Sequence, residues 1–262
     1  MKLAPSLTAL ALVWSSPGDA RIDPSAFASL AFRQHPGAQL PLGAHLRDES
    51  GRGVVLGSAF DGRPTILVLA YLRCQNLCSL VLSGTTAAMA QAHLQPGKNV
   101  NLVAVSIDPR DTPVDAAASR AMYGRRFANP EAAAAGIRFF TGAPDQVASV
   151  AKAVGFPYRF DRQTNQFAHP AGFVVATPDG RISRYILGLN PRPALLRQAV
   201  DTAAAEKVEP PAHPLLCLCF GYDPDEGSVA ALTWRLVRLT SLGLVLACAL
   251  LIGSLALRRR AA

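Results

Sequence analysis

The sequence predicts an α/β domain, a central sheet with helices on both faces, followed by one C-terminal transmembrane helix. Three observations carry this. Residues 65–71 (Thr-Ile-Leu-Val-Leu-Ala-Tyr) and 100–107 (Val-Asn-Leu-Val-Ala-Val-Ser-Ile) are almost wholly apolar, as strands buried on both faces read. Stretches with helix start and stop signals alternate with such strands, and alternation of this kind layers helices on a sheet. Residues 239–257 contain no charge and are followed by Arg258, Arg259 and Arg260.

Residues 1–20 have the form of an export signal. Lys2 supplies the positive charge, a short apolar run ends near Trp14, and Gly18 and Ala20 are small enough for cleavage after Ala20. Residues 21–40 are polar and contain Pro and Gly, so they read as a linker. The folded domain is expected over residues 41–205. It opens with a hairpin at 44–58 around Asp48-Glu49-Ser50-Gly51 and a turn at Asp61-Gly62-Arg63-Pro64. After the strand at 65–71 a helix is expected over 77–94, stopped by Pro96-Gly97. The strand at 100–107 leads to a helix at Thr112-Pro113-Val114-Asp115. There Thr112 can cap, Pro113 suits the first turn, and Asp115 has capping-box spacing. A third strand is expected at 136–141 and a short helix at 144–154. A hairpin at 172–177 and 181–187 turns on Pro178-Asp179-Gly180, and a helix at 193–205 closes the domain.

Residues 206–236 form a Pro-containing, membrane-proximal linker. Residues 237–257 are long enough to cross a bilayer. Trp234 stands near one interface, and the arginine cluster, followed by a tail at 258–262, is expected in the cytoplasm. The export signal agrees with that orientation, so the domain is expected to face the periplasm. The formal charge is +8. Its lysines and arginines are scattered without aromatic interleaving, which speaks against nucleic-acid binding. Only 17% of residues are charged, low for a wholly soluble chain.

Cys248 falls within the apolar run, and the remaining cysteines form two close pairs, Cys74/Cys78 and Cys217/Cys219. Such spacing suits redox or metal chemistry better than a stapling framework. Cys74-Gln75-Asn76-Leu77-Cys78 follows the first buried strand, where a helix begins. Residues four apart share a helix face, and the positive helix end favours thiolate. Two thiolates suit a soft ion such as Cu(I), and imidazole suits copper in both oxidation states. Zinc usually takes a fourth ligand, which the spacing does not supply. His169, just before the strand at 172–177, is the natural third donor. A plain dithiol/disulfide remains open on spacing alone, since helical spacing brings the two cysteines within bonding range. Cys217-Leu218-Cys219 with His213 nearby is a second soft-metal or disulfide candidate, though packing cysteines explain it more simply. Asp108 and Asp111 are read first as turn and helix-start residues. His35, His45 and His93 have no partners by spacing.

Tyr71-Leu72-Arg73-Cys74-Gln75-Asn76-Leu77-Cys78 resembles the signature of the Sco/SenC family. Val105-Ser106-Ile107-Asp108-Pro109-Arg110-Asp111-Thr112-Pro113 resembles its second motif, and Ala168-His169 with Thr177-Pro178-Asp179-Gly180 its third. The resemblance spans roughly residues 38–205. Tyr222-Asp223-Pro224 before a C-terminal span looks like a bacterial branch with a C-terminal anchor. The resemblance implies a thioredoxin-like fold and copper, as Cu(I) or Cu(II), held by Cys74, Cys78 and His169. It also implies a metallochaperone that assists assembly of the dinuclear copper site of a haem–copper (cytochrome c) oxidase, whose copper-accepting subunit is then the partner. The alternative is a thiol–disulfide oxidoreductase, with Cys74 and Cys78 as the reactive pair, that keeps a partner's cysteines reduced; a thiol peroxidase on the same fold is a weaker third. Two positions depart from the family pattern: Ser79 stands where Pro is common, and Ala168 where an acidic residue often lies beside the histidine. Pro170 suggests a cis His169–Pro170 bond, as before the corresponding strand of thioredoxins.

Overall fold

The computed structural model describes residues 30–73, 77–162, 165–212, 239–241 and 243, with the side chains of Leu77, Cys78 and Ser79 left out. Within them the sheet forms around the two apolar runs. Strand β3 (Thr65–Ala70) and strand β4 (Asn101–Ser106) are buried at every position and pair in parallel from Thr65↔Asn101 to Ala70↔Ser106. They are the centre of a seven-stranded sheet of order β2-β1-β5-β4-β3-β8-β9. The short hairpin of β1 (His45–Arg47) and β2 (Gly53–Val55) attaches antiparallel to β5 (Ile137–Gly142). On the other side, β8 (Gly172–Ala176) runs antiparallel to β3 and is followed by β9 (Ile182–Leu187).

Five helices cover this sheet: α1 (Leu77–Gln91), α2 (Pro113–Gly124), α3 (Pro130–Gly136), α4 (Pro144–Val154) and α5 (Pro193–Ala204). Phe139, Phe140 and Phe173 are among the largest fully buried side chains of the core between the layers. The mixed sheet with helices on both faces is therefore as the sequence predicts.

Several ends follow from local chemistry. The Thr112 hydroxyl accepts from the Asp115 N–H while the Asp115 carboxylate accepts from the Thr112 N–H, a complete capping box before α2. Helix α1 stops at Gln91, short of the expected Leu94. His93 takes a left-handed conformation (φ 55°), and the Leu94 N–H turns back to the Met89 carbonyl at 2.8 Å, the closure that ends many helices. Besides a single 3-10 turn at Leu56–Ala59, where the second hairpin arm was expected to continue, two elements were not foreseen. One is α3, capped by the Asn129 side chain. The other is a separate two-stranded hairpin of β6 (Arg159–Asp161) and β7 (Gln166–Ala168).

Residues 30–40, the second half of the segment expected as a linker, lie along the sheet margin. The Gly37 N–H donates to the Ile182 carbonyl (2.8 Å), the Ile182 N–H to Ala38 (2.9 Å) and the Leu40 N–H to Gly180 (2.9 Å). From the other terminus, the Glu209 N–H donates to Ser183 (2.9 Å), and Gln34 clasps the Ala212 backbone at 2.6 and 2.7 Å. Both segments thus cover an edge that would otherwise expose unpaired backbone. Among the described residues no helix is long and apolar enough to cross a membrane. Residues 1–20 and almost all of 237–257, with the export signal and the span expected there, lie outside the described residues.

Gly155 joins α4 to this margin. It is left-handed (φ +65°), and a Cβ there would stand 1.7 Å from the Arg33 carbonyl oxygen. Gly155→Ala is expected to destabilise the fold by about 3 kcal/mol, since strain and a backbone collision combine. Urea unfolding measures it; a loss below about 0.5 kcal/mol, typical of an inert surface change, would show that the margin is not held there.

Candidate functional site

The parallel pairing of β3 and β4 sends the segments after Ala70 and Ser106 out at the same sheet edge. Because β8 is antiparallel to β3, the residues before β8 arrive at that edge too. Three motifs far apart in sequence therefore converge: Tyr71–Arg73 leading to Cys74, the loop Ile107–Asp111, and Ala168–Pro170.

Asp111 fastens the first two. Its carboxylate is fully buried, accepts from the Leu72 N–H at 2.6 Å and the Ser106 hydroxyl at 2.6 Å, and pairs with Arg73 Nε at 2.9 Å. A buried carboxylate is tolerable only with such donors. Its effect is to fix the backbone just ahead of the cysteine segment. Asp108, also buried, is held by its own arginine: Arg110 Nε and Nη2 donate to its carboxylate at 2.7–3.0 Å. Burial opposes ionisation of Asp108, but the side-chain and backbone hydrogen bonds from Arg110 outweigh it and hold the carboxyl below its ordinary 3.8. Both aspartates, read from sequence as turn residues, thus also build the edge.

His169 lies in the short connection from β7 to β8. Its ring stacks on Phe156 (centroids 5.4 Å apart, 27° between planes) and meets Tyr71 edge-on at 6.1 Å. Nδ1 lies 2.8 Å from the Pro170 carbonyl oxygen. A carbonyl only accepts, so Nδ1 carries a proton; when the ring is neutral the lone pair is then on Nε2, the form a metal ligand requires. Burial lowers the imidazole pKa from 6.5, with the Pro170 contact opposing. No described peptide bond is cis, so His169–Pro170 is trans and the thioredoxin-like cis bond suggested by Pro170 is not present.

Cys74 lies outside the described residues, as do Cys217, Cys219, His213 and Cys248. Cys78 is on the first turn of α1. The structure therefore brings His169 against Tyr71, on the segment that runs into Cys74. Among the described residues alone, no group of three His, Cys, Asp or Glu is arranged to hold a metal. A half-buried imidazole is a donor type that copper accepts. His35, His45 and His93 are exposed.

Sequence reasoning missed the aromatic wall around His169. Tyr71, Phe156 and Phe167 come from three separate elements, and Phe167 meets Tyr71 at 5.8 Å and Phe160 at 5.1 Å. Strands of three residues are too short to show alternation; the paired Phe160 and Phe167 were the available signal.

Asp111→Asn keeps the shape but weakens charge-assisted bonds, and is expected to cost about 2 kcal/mol in urea unfolding and to speed amide exchange at Leu72; unchanged exchange there would contradict the clamp. NMR titration of the metal-free chain is expected to place the His169 midpoint below 6.5. The folded state then takes up its proton later than the unfolded state, so His169 subtracts stability as pH falls below 6.5 and through the folded midpoint. Phe156→Ala should move that midpoint upward; a parent midpoint at or above 6.5 would contradict the burial argument.

The model of the SCO1/SenC family matches residues 45–205. Among solved structures, a protein from Aquifex aeolicus VF5 proposed to act in electron transfer is similar at 24% identity, with 66% of this chain and 96% of that chain covered and a TM-score of 0.57. A SCO1/SenC family lipoprotein from Bacillus anthracis is similar at 16% identity, covering 66% and 99%, with a TM-score of 0.53. Arabidopsis thaliana ScoI, solved with copper bound, is similar at 21% identity, covering 66% and 98%, with a TM-score of 0.50. These likenesses show the shared fold. The curated proteins contain no match. With the family model spanning more than half of the chain, and the same sheet found in solved relatives, this protein belongs to the SCO1/SenC family.

Proposed function

We propose that this chain is a membrane-tethered, periplasmic copper metallochaperone that holds copper through Cys74, Cys78 and His169. In this reading it serves assembly of the dinuclear copper site of a haem–copper oxidase, whose copper-accepting subunit is the partner. Residues 1–20 direct export, and residues 237–257 anchor the domain.

The observation that carries the reading is the placement of His169. Its half-buried ring packs against Tyr71 and Phe156, with Nδ1 turned to a carbonyl. A ring oriented through its other nitrogen is how metal-binding histidines are commonly held, and here a backbone carbonyl does what an acidic neighbour in place of Ala168 would otherwise do. Membership of the SCO1/SenC family and the copper bound by Arabidopsis ScoI support the same reading. Copper supplies no bond-making step here; the chain's residues bind it and hold it for release.

Anaerobic titration of the full chain with Cu(I), and separately with Cu(II), tests the site. One copper per chain is expected, with affinity at least about a hundredfold weaker, or about 2.7 kcal/mol, in Cys74→Ser, Cys78→Ser and His169→Ala. If His169→Ala binds both ions as the parent does, the three-donor site is wrong. A thiol–disulfide oxidoreductase, which needs both cysteines but not His169, would then be the better account, and single-cysteine variants should trap a partner as a mixed disulfide.

A further inference from the structure

We infer that Arg110 is a positioning residue for His169, acting through the β6–β7 hairpin. This rests on the copper reading above and assigns part of that site's geometry to a residue that touches no metal.

The hairpin is a separate element. Its two strands pair with each other and not with the seven-stranded sheet. Beneath it lies a cavity of about 370 Å3, lined by Ile107, Pro109, Arg110, Tyr158, Phe160 and Phe167 among others. Packing below the hairpin is therefore incomplete, with Phe167 resting on Tyr71 at one side of the cavity. The hairpin's strand β7 ends at Ala168, directly before His169, so any shift of the hairpin carries the imidazole with it.

Arg110 spans the gap. At its base, the guanidinium is locked to Asp108, whose side chain is 2% exposed against 43% for Arg110. Toward the hairpin, Nη1 donates to the Asn165 side-chain oxygen at 2.8 Å. The guanidinium carbon also lies over two hairpin rings, 5.0 Å from the Phe160 centroid and 5.9 Å from Phe167. A planar guanidinium can form a bidentate ion pair, donate sideways and stack on aromatic faces at once. Phe167 in turn packs on Tyr71 at 5.8 Å, and Tyr71 packs on His169. The arginine thus links the buried Asp108 loop to the strand that delivers the ligand ring. Asp108 serves in this link as the anchor, and the hairpin as the arm.

The test uses the full chain with Arg110→Gln and Arg110→Lys. In the metal-free protein, limited trypsin digestion after Arg159 and Arg162 should speed up about tenfold in Arg110→Gln, with cleavage after Lys152 and Arg197 unchanged; that ratio is the expected scale for losing one hydrogen bond and the stacking together. In the Cu(II)-loaded protein, the nitrogen hyperfine coupling of the His169 ring should weaken in Arg110→Gln. Arg110→Lys, which keeps a cation near Asp108 and the rings, should fall between that variant and the parent in both measurements. Hairpin cleavage within twofold of the parent, or cleavage raised equally at all sites, would overturn the inference, as would an unaltered nitrogen coupling in a variant whose hairpin has loosened. If the parent itself shows no imidazole nitrogen on Cu(II), the copper reading fails, while the digestion still reports whether Arg110 holds the hairpin.

Discussion

The buried carboxylate of Asp111 is the joint on which the sheet edge depends. Strands β3 and β4 can pair in parallel with any loops attached, but the segments that leave them diverge unless something ties them. Asp111 does so by receiving the Leu72 N–H and the Ser106 hydroxyl, with Arg73 closing over it. Taking a carboxylate out of water is costly, and that cost is offset here only because each donor is already fixed by a strand end. The backbone before Cys74 is therefore rigid for the same reason that the Asp108–Asp111 loop is rigid.

The imidazole reaches this edge by topology, not by proximity in sequence. An antiparallel β8 beside β3 returns the chain to the end that carries the cysteine segment. Aromatic rings then set the fine position. Phe156 stacks on one face of His169 and Tyr71 meets it edge-on, and Nδ1 is turned to the Pro170 carbonyl. Under the copper reading proposed above, such a ring would offer a positioned nitrogen donor and not a solvated, rotating one.

Much of this was legible in the sequence. The apolar runs at 65–71 and 100–107 marked β3 and β4 because a strand buried on both faces admits almost no polar residue. Thr112-Pro113-Val114-Asp115 marked the start of α2 because capping is a local transaction between neighbours. The hairpin β6–β7 escaped notice because three-residue strands show no period; α3 was missed although Asn129-Pro130-Glu131 is a helix start and alanine favours helix. The role of Arg110 was invisible for a different reason. Its partners are two residues away on one side and more than fifty on the other, and no local pattern records a contact of that range. The linker reading of residues 21–40 likewise did not reveal that the backbone at Gly37 and Ala38 pairs with β9.

The donor set around copper is the claim on which the functional reading stands, and X-ray absorption at the copper edge of the loaded full chain measures it most directly. Two sulfurs and one imidazole nitrogen are expected in the Cu(I) form, with the nitrogen absent in His169→Ala. A sulfur-only environment in the parent, identical to that of His169→Ala, would contradict it.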